Sequence, residues 1–387
     1  MNKTVLLSIF AAAFVFAVSG ADQAVPAGWK GTIATENGVK VIKNPAEPLY
    51  GEFAFDLQED LSIGGDPTKE DYYFPQGAVL SVDPAGNLFV ADGGNRRVMM
   101  YDPAGKFIRQ IGRSGQGPGE YSYPSRVFID PDGNPIVSAS REMVCFGKDG
   151  AFIKKVPIKT FLGTSILGPG RTVLGTAQPG PGPEGPKHKL IQVGPDGEVL
   201  RTVAEYRGEF KENQTAIVFH SYRNNLVFSS LTPDTFVYGF SEEYRLNVAD
   251  ADGKTVLAIT KDEKPRTISG REKDETRKSG IWAAIGTNDT TLRDGDFPDH
   301  RPFFSRVFTD DAGRIYVART RSILEKDKPW EIDVFTKDGF YLYRTAWLRF
   351  PSAIQGGCLY EVRTDKDSGE YFIVRSKIRN WSAMKTG

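Results

Sequence analysis

Apolar runs about as long as a β-strand recur along most of the chain, parted by clusters of Gly, Pro, Asn and Asp. Between Pro75 and Pro124 the runs VLSV, NLFVA, RVMMY and KFIRQI follow one another, with turn-forming residues between them. This spacing predicts four short antiparallel strands, since β-branched and aromatic residues suit a pleated surface and Gly and Pro interrupt it. A lone four-stranded sheet leaves apolar surface uncovered, so any copies of the unit must stack.

Copies are present. The second-strand pattern of Ala85-Gly-Asn-Leu-Phe-Val-Ala returns at Asp132, Pro169, Asn224, Ala312 and Ser368, and the turn glycine that opens a fourth strand returns at Gly105, Gly150, Gly197, Gly253 and Gly339. The second pattern is one short. Little more than a strand's length of chain follows Gly369, so the last copy lacks strands, and an open sheet edge invites aggregation. Two N-terminal stretches supply the remainder: VKVIKNPA (Val39–Ala46) aligns with RVMMYDPA, and FDLQEDLSIGG (Phe55–Gly65) with KFIRQIGRSG. The expectation is an all-β, six-bladed β-propeller with four-stranded blades, its ring closed by N- and C-terminal strands sharing one blade. The blades are expected near 75–112, 124–156, 161–206, 215–261, 303–348 and 352–380, the last completed by 39–65.

The run D-x-x-N-R-R-V-x-x-Y-D-x-x-G-K-F-I-R-x-I-G from Asp92, followed by GQGPGEY, resembles the NHL-repeat propellers, in particular the bacterial exported six-bladed group. FPDHRPFFSRVFTDDAGRIYVAR at Phe297–Arg319 has the same character. The resemblance implies a fold more than an activity, because such rings carry binding modules, lyases, lactonases and scaffolds alike.

The first 21 residues, with Lys3, an apolar run from Val5 to Val18 and small residues to Ala21, are expected to be a cleavable secretory signal peptide. No cysteine stands at the cleavage point, so a periplasmic or released single-domain protein, 22–387, is expected. Forty-nine basic and 49 acidic residues cancel. That balance argues against nucleic acid or an anionic membrane as the partner. Cys145 and Cys358, the two cysteines, fall on different blades and are expected to remain free thiols.

Strand direction alternates within a blade. Links between strands one and two and between three and four therefore lie on one face of the ring, and they are short turns such as PAGN, PDGN, KDGA and PDGE. The other links carry the insertions: GRSGQGPGEYSY, TAQPGPGPEGPKHK, Asp262–Arg301 with a short helix near 271–286, and RTRSILEKDKPW. A rigid scaffold lengthens loops where it binds. The expected partner on that face is a protein, peptide or glycan, bound by a monomer without cofactor or metal.

Aligned by the Asp that ends them, the innermost strands place Val79, Arg126, Thr164, Ile217, Arg306 and Glu361 in one register. Arg126, Arg306 and Glu361 are candidate ligand residues at the channel mouth, where guanidinium groups grip carboxylates or phosphates; the alternative is that they cement neighbouring blades. His300 and Arg301, just ahead of the fifth blade, are further candidates. The three histidines, His188, His220 and His300, show no metal-ligand spacing, and no catalytic residue is assigned. The glycines of GRSGQGPGEY are expected to carry the chain from one blade to the next, and Asp92, Asn95, Arg96 and Arg97 to bond turns and blade edges. A propeller enzyme at the channel, a lyase or lactone hydrolase, is the alternative function.

Overall fold

A computed structural model describes residues 24–177, 187–207, 217–285 and 291–385. The leader segment and most of the Pro-rich loop of blade three lie outside the described residues. Six four-stranded antiparallel units follow one another around an axis. Blade one is Val79–Val82, Leu88–Asp92, Arg97–Tyr101 and Phe107–Gln110, counted outward from the axis. Blades two (Pro124–Pro157) and three (Leu162–Arg207) repeat this order, as does blade five (Phe304–Trp347). Period-two alternation along the central strands buries both sheet faces, so neighbouring blades share cores such as Phe89, Val98, Val127 and Val144 between blades one and two.

The ring closes within blade six, as expected, but with a different division of strands. Three come from the C-terminal region, Ala353–Gln355, Cys358–Thr364 and Tyr371–Ile378. The outermost, Leu57–Gly64, comes from the N-terminal region and pairs antiparallel with Tyr371–Ile378. The strand after Gly369 is thus third in its blade, not second. Val39–Asn44, expected as its third strand, instead adds in parallel to the outer edge of blade four, pairing with Thr255–Lys261. Any free edge accepts an apolar strand, and position three of blade six is already filled. Onward, Leu49, Tyr50 and Phe53 donate to carbonyls of Tyr341, Leu342 and Arg344 on the outer strand of blade five. The N-terminal arm therefore runs along the rims of blades four and five before completing blade six.

Blade four is also shifted from expectation. Its strands are Leu226–Thr232, Thr235–Phe240, Arg245–Asp250 and Thr255–Lys261. Ile217–His220, expected as its innermost strand, pairs with Ile281–Ile285 in a separate two-stranded sheet. The helix spans Gly270–Ser279, opened by a capping box in which the Ser269 hydroxyl accepts from the Glu272 N–H, and Gly280 follows it. The residues beyond Gly280, expected to be helical, form the strand Ile281–Ile285. Tyr222, Ile268, Leu292 and Phe297 give this insertion its own small core. The result is a cap built from the links on either side of blade four.

Local motifs hold the ring as expected. Asp92 accepts from Arg97 Nε at 2.9 Å and from the Asn95 side chain at 2.8 Å, while Arg97 also donates to the carbonyls of Glu70 and Tyr73. In the glycine-rich crossing from blade one to two, the Tyr121 hydroxyl donates to the Ile111 carbonyl at 2.6 Å and accepts from the Val98 N–H at 3.0 Å. Cys145 and Cys358 are free. No helix among the described residues is long and apolar enough to cross a membrane.

Candidate functional site

Every link between strands one and two or three and four is short, among them 83–87, 130–134, 310–314, 102–106, 147–151 and 194–198. Residues 65–78, 111–123, 262–303 and 320–329 all join strands on the opposite face. That face carries the cap and surrounds one mouth of the central channel.

The channel holds a cavity of about 370 Å³, walled by all six innermost strands, with Arg126, Phe128, Ser229, Phe308 and Ile354 among its lining. Toward its short-turn end neighbouring blades are laced to one another around the ring. The Ser81 hydroxyl donates to the Val127 carbonyl at 2.6 Å, Thr309 donates to the Ser230 carbonyl at 2.5 Å, and the Asp311 carboxylate accepts from the Gly356 N–H at 2.8 Å. Those groups are occupied in holding the ring.

Arg126, three residues into its strand, lies toward the loop-rich end. Its guanidinium has no hydrogen bond or ion pair among the described residues, and burial pushes its pKa down. Arg306 occupies the equivalent place on blade five; its guanidinium sits 4.7 Å from the Phe350 ring centroid and likewise has no carboxylate partner among the described residues. Burial lowers its pKa too, although the side chain is exposed to solvent. Neighbours such as Phe350 crowd the group while water still reaches it. Neither arginine makes an inter-blade ion pair among the described residues.

The remaining candidates stand elsewhere. Glu361 lies on Cys358–Thr364, the second strand of blade six, rather than the innermost, and accepts from Arg363 at 2.6 Å. The innermost strand there, Ala353–Gln355, is too short to carry the repeat pattern, which displaced the alignment by one strand. Glu361 and Arg363 border a larger cavity of about 640 Å³ between blades five and six, with Phe53, Phe55 and Trp347.

Arg301 is structural in its contacts. It meets Glu272 at 2.9 Å, and Glu272 also accepts from the hydroxyls of Tyr222 and Ser322, each at 2.6 Å. Burial works to raise the Glu272 pKa, but the bonds from Ser322, Tyr222 and Ser269 outweigh it and hold the carboxyl at about 2. This carboxylate fastens the cap to blade five; sequence reasoning missed it, and the capping-box pattern Ser269-x-x-Glu272 was the available signal.

His300 Nδ1 lies 2.9 Å from the Arg301 carbonyl, and the ring packs edge-on to Phe303. His188 lies beside Arg223 and Phe240, and His220 against Phe297; burial lowers both histidines to a pKa of about 4. The three do not converge, and no group of three or more metal-binding side chains occurs among the described residues.

The geometry defines a six-bladed β-propeller with a capped, loop-rich face. Residues 68–159 match a family model described as DUF5128, a 6-bladed beta-propeller; an NHL-type ring is compatible with that match, which does not name it. A Bacteroides fragilis protein provisionally described as exported is similar in fold at 10% identity and a TM-score of 0.50, covering 88% of this chain and 99% of that one. A Bacteroides vulgatus member of the duf4221 family aligns over 83% of this chain and 98% of its own at 11% identity and a TM-score of 0.45. Mouse peptidyl-glycine alpha-amidating monooxygenase is 28% identical over 158 residues, which is 37% of this chain and 16% of that protein, so the chain spans well under a fifth of that relative's length.

Proposed function

We propose that this chain is an exported binding propeller that takes its ligand, a protein, peptide or glycan, at the channel mouth on the loop-rich face. The observation that supports this reading is the segregation of links: apart from the N-terminal arm on the rim, the long connections 65–78, 111–123, 262–303 and 320–329 join strands on one face, and the cap stands beside a mouth where Arg126 has no hydrogen-bond or ion-pair partner among the described residues. Loops on a rigid ring tolerate insertion on either face at similar cost, so their gathering on one side points to use of that side. The candidate residues on this reading are Arg126 and Arg306. Arg301 acts through the cap, and Glu361 is set apart in the neighbouring groove.

The test is to screen the mature chain on peptide and glycan arrays and repeat with two variants. Arg126→Met alters the loop-rich mouth, whereas Lys106→Glu reverses an exposed charge in a turn on the opposite face. Loss with the first and retention with the second is expected. The reverse pattern, or turnover of a lactone or other substrate by the unaltered protein, would overturn the reading.

A further inference from the structure

Blades two and five stand three apart in a ring of six, so their innermost strands face each other across the axis. These two strands carry the same pattern, Ser125-Arg126-Val127-Phe128 with Asp130, and Ser305-Arg306-Val307-Phe308 with Asp310. The backbone is matched as well. A register irregularity falls immediately before each arginine, between Pro124 and Arg126 and between Phe304 and Arg306, after which Arg126 pairs with Ser138 and Arg306 with Ala318. Blades one and three place Val79 and Thr164 at the corresponding position. The repeat thus sets cations on two facing strands and none at this position on blades one and three.

Other buried or half-buried arginines are spent on carboxylates: Arg97 on Asp92, Arg314 on Asp310, Arg319 on Glu263. Arg126 and Arg306 are not, and two like charges on one channel cannot satisfy each other. Arg126 lines the channel cavity, as do Phe128 and Phe308, two residues beyond each arginine on its strand; Arg306 is exposed on the facing strand. Phe128 is held in the core between blades two and three and Phe308 packs on Trp347 and Phe350, so the wall around the arginines is fixed.

We propose that Arg126 and Arg306 form a two-point clamp for a small dicarboxylate lying across the channel mouth. Each guanidinium takes one carboxylate through paired N–H donors, and the carbon chain spans the channel between them. The cavity is of small-molecule size. This inference deepens the reading of the loop-rich mouth as the binding site and rests on it: the dicarboxylate is a free ligand or the terminal feature of a larger one.

Calorimetric titration of the mature chain with straight-chain dicarboxylates from succinate to suberate, and with monocarboxylates of the same lengths, tests the clamp. One dicarboxylate length is expected to bind at least about tenfold tighter than its monocarboxylate counterpart, the least that a second charge-assisted pair contributes. Arg126→Met and Arg306→Met should each reduce that dicarboxylate to the affinity of the monocarboxylate, and the double variant should bind neither. Thermal melts establish that the variants fold; should they not, Arg126→Lys and Arg306→Lys keep the charge but lose the fork, and a reduced dicarboxylate preference is expected. Equal binding of the two series, no binding by any dicarboxylate, or preference unchanged in the variants overturns the clamp. If array binding still depends on Arg126 while no dicarboxylate binds, the clamp alone fails. If array binding ignores the loop-rich face, the broader reading fails whatever the calorimetry gives.

Discussion

Lys261 at the end of blade four and Asp333 in blade five meet at 2.7 Å with neither side chain exposed. The hydroxyl of Tyr244 donates to the same carboxylate at 2.6 Å, Tyr341 donates to its other oxygen, and both rings flank the ammonium. Burial raises the Asp333 pKa, but Lys261 and the two hydroxyls outweigh it and leave the pKa below its usual value. The carboxylate is therefore the form the fold requires.

Removing that charge leaves the fully buried ammonium with one carboxylate, Glu263 at 3.0 Å, in place of two. Asp333→Asn is expected to cost roughly 3–5 kcal/mol in urea denaturation, whereas Lys261→Met with Asp333→Leu, which removes both charges, should cost less. A loss below about 1 kcal/mol for the single variant would mean that the pair contributes no more than a surface ion pair.

Glu272 makes cap attachment sensitive to acid. Its folded pKa of about 2 lies below the ordinary 4.5, so the stability it contributes is fully present above the unfolded value and is lost as pH falls from about 4.5 toward 2. Pepsin should therefore cut within 264–300 increasingly over that window while the blades resist. Glu272→Gln should be cut at the higher pH as well and show a flatter dependence. Cutting of the blades and the insertion in step, in both proteins, would mean that Glu272 does not govern the cap.

What was legible in the chain is what is decided within a few residues. In the inner turns Asp83, Asp130 and Asp310 accept from the backbone N–H of Asn87, Asn134 and Arg314, four residues on, so the repeated turn motif carries its own structure. Arg126 and Arg306 followed, because each precedes such a turn by a fixed distance. Choices between competing edges were not legible. Val39–Asn44 has the alternation of a strand for any blade, and only the occupation of blade six by Tyr371–Ile378 sends it to blade four. Likewise Ile217–His220 reads as an inner strand until Ile281–Ile285 offers it a partner. Arg301 looked like a ligand residue because Glu272, which takes its charge, lies in another part of the insertion.

The arm that runs along the rim depends on one amide. Asn44, almost fully buried, donates from Nδ2 to the Gly339 carbonyl at 2.8 Å and the Thr260 carbonyl at 3.1 Å, and its Oδ1 accepts from the Tyr341 N–H at 2.8 Å and Trp29 Nε1 at 3.0 Å. It thereby joins the N-terminal arm, the outer strand of blade four and the final turn of blade five. Asn44→Ala leaves the Gly339 carbonyl and the Tyr341 N–H without this partner inside the protein. At about 1–3 kcal/mol for each buried group left unsatisfied, a loss of roughly 2–4 kcal/mol is expected in urea denaturation. Hydrogen exchange should quicken at the edges of blades four and five, since the arm covers both, before it quickens in blade two. A loss under about 0.5 kcal/mol, the range of a neutral surface change, would show that the parallel pairing of Val39–Asn44 holds the arm without the amide.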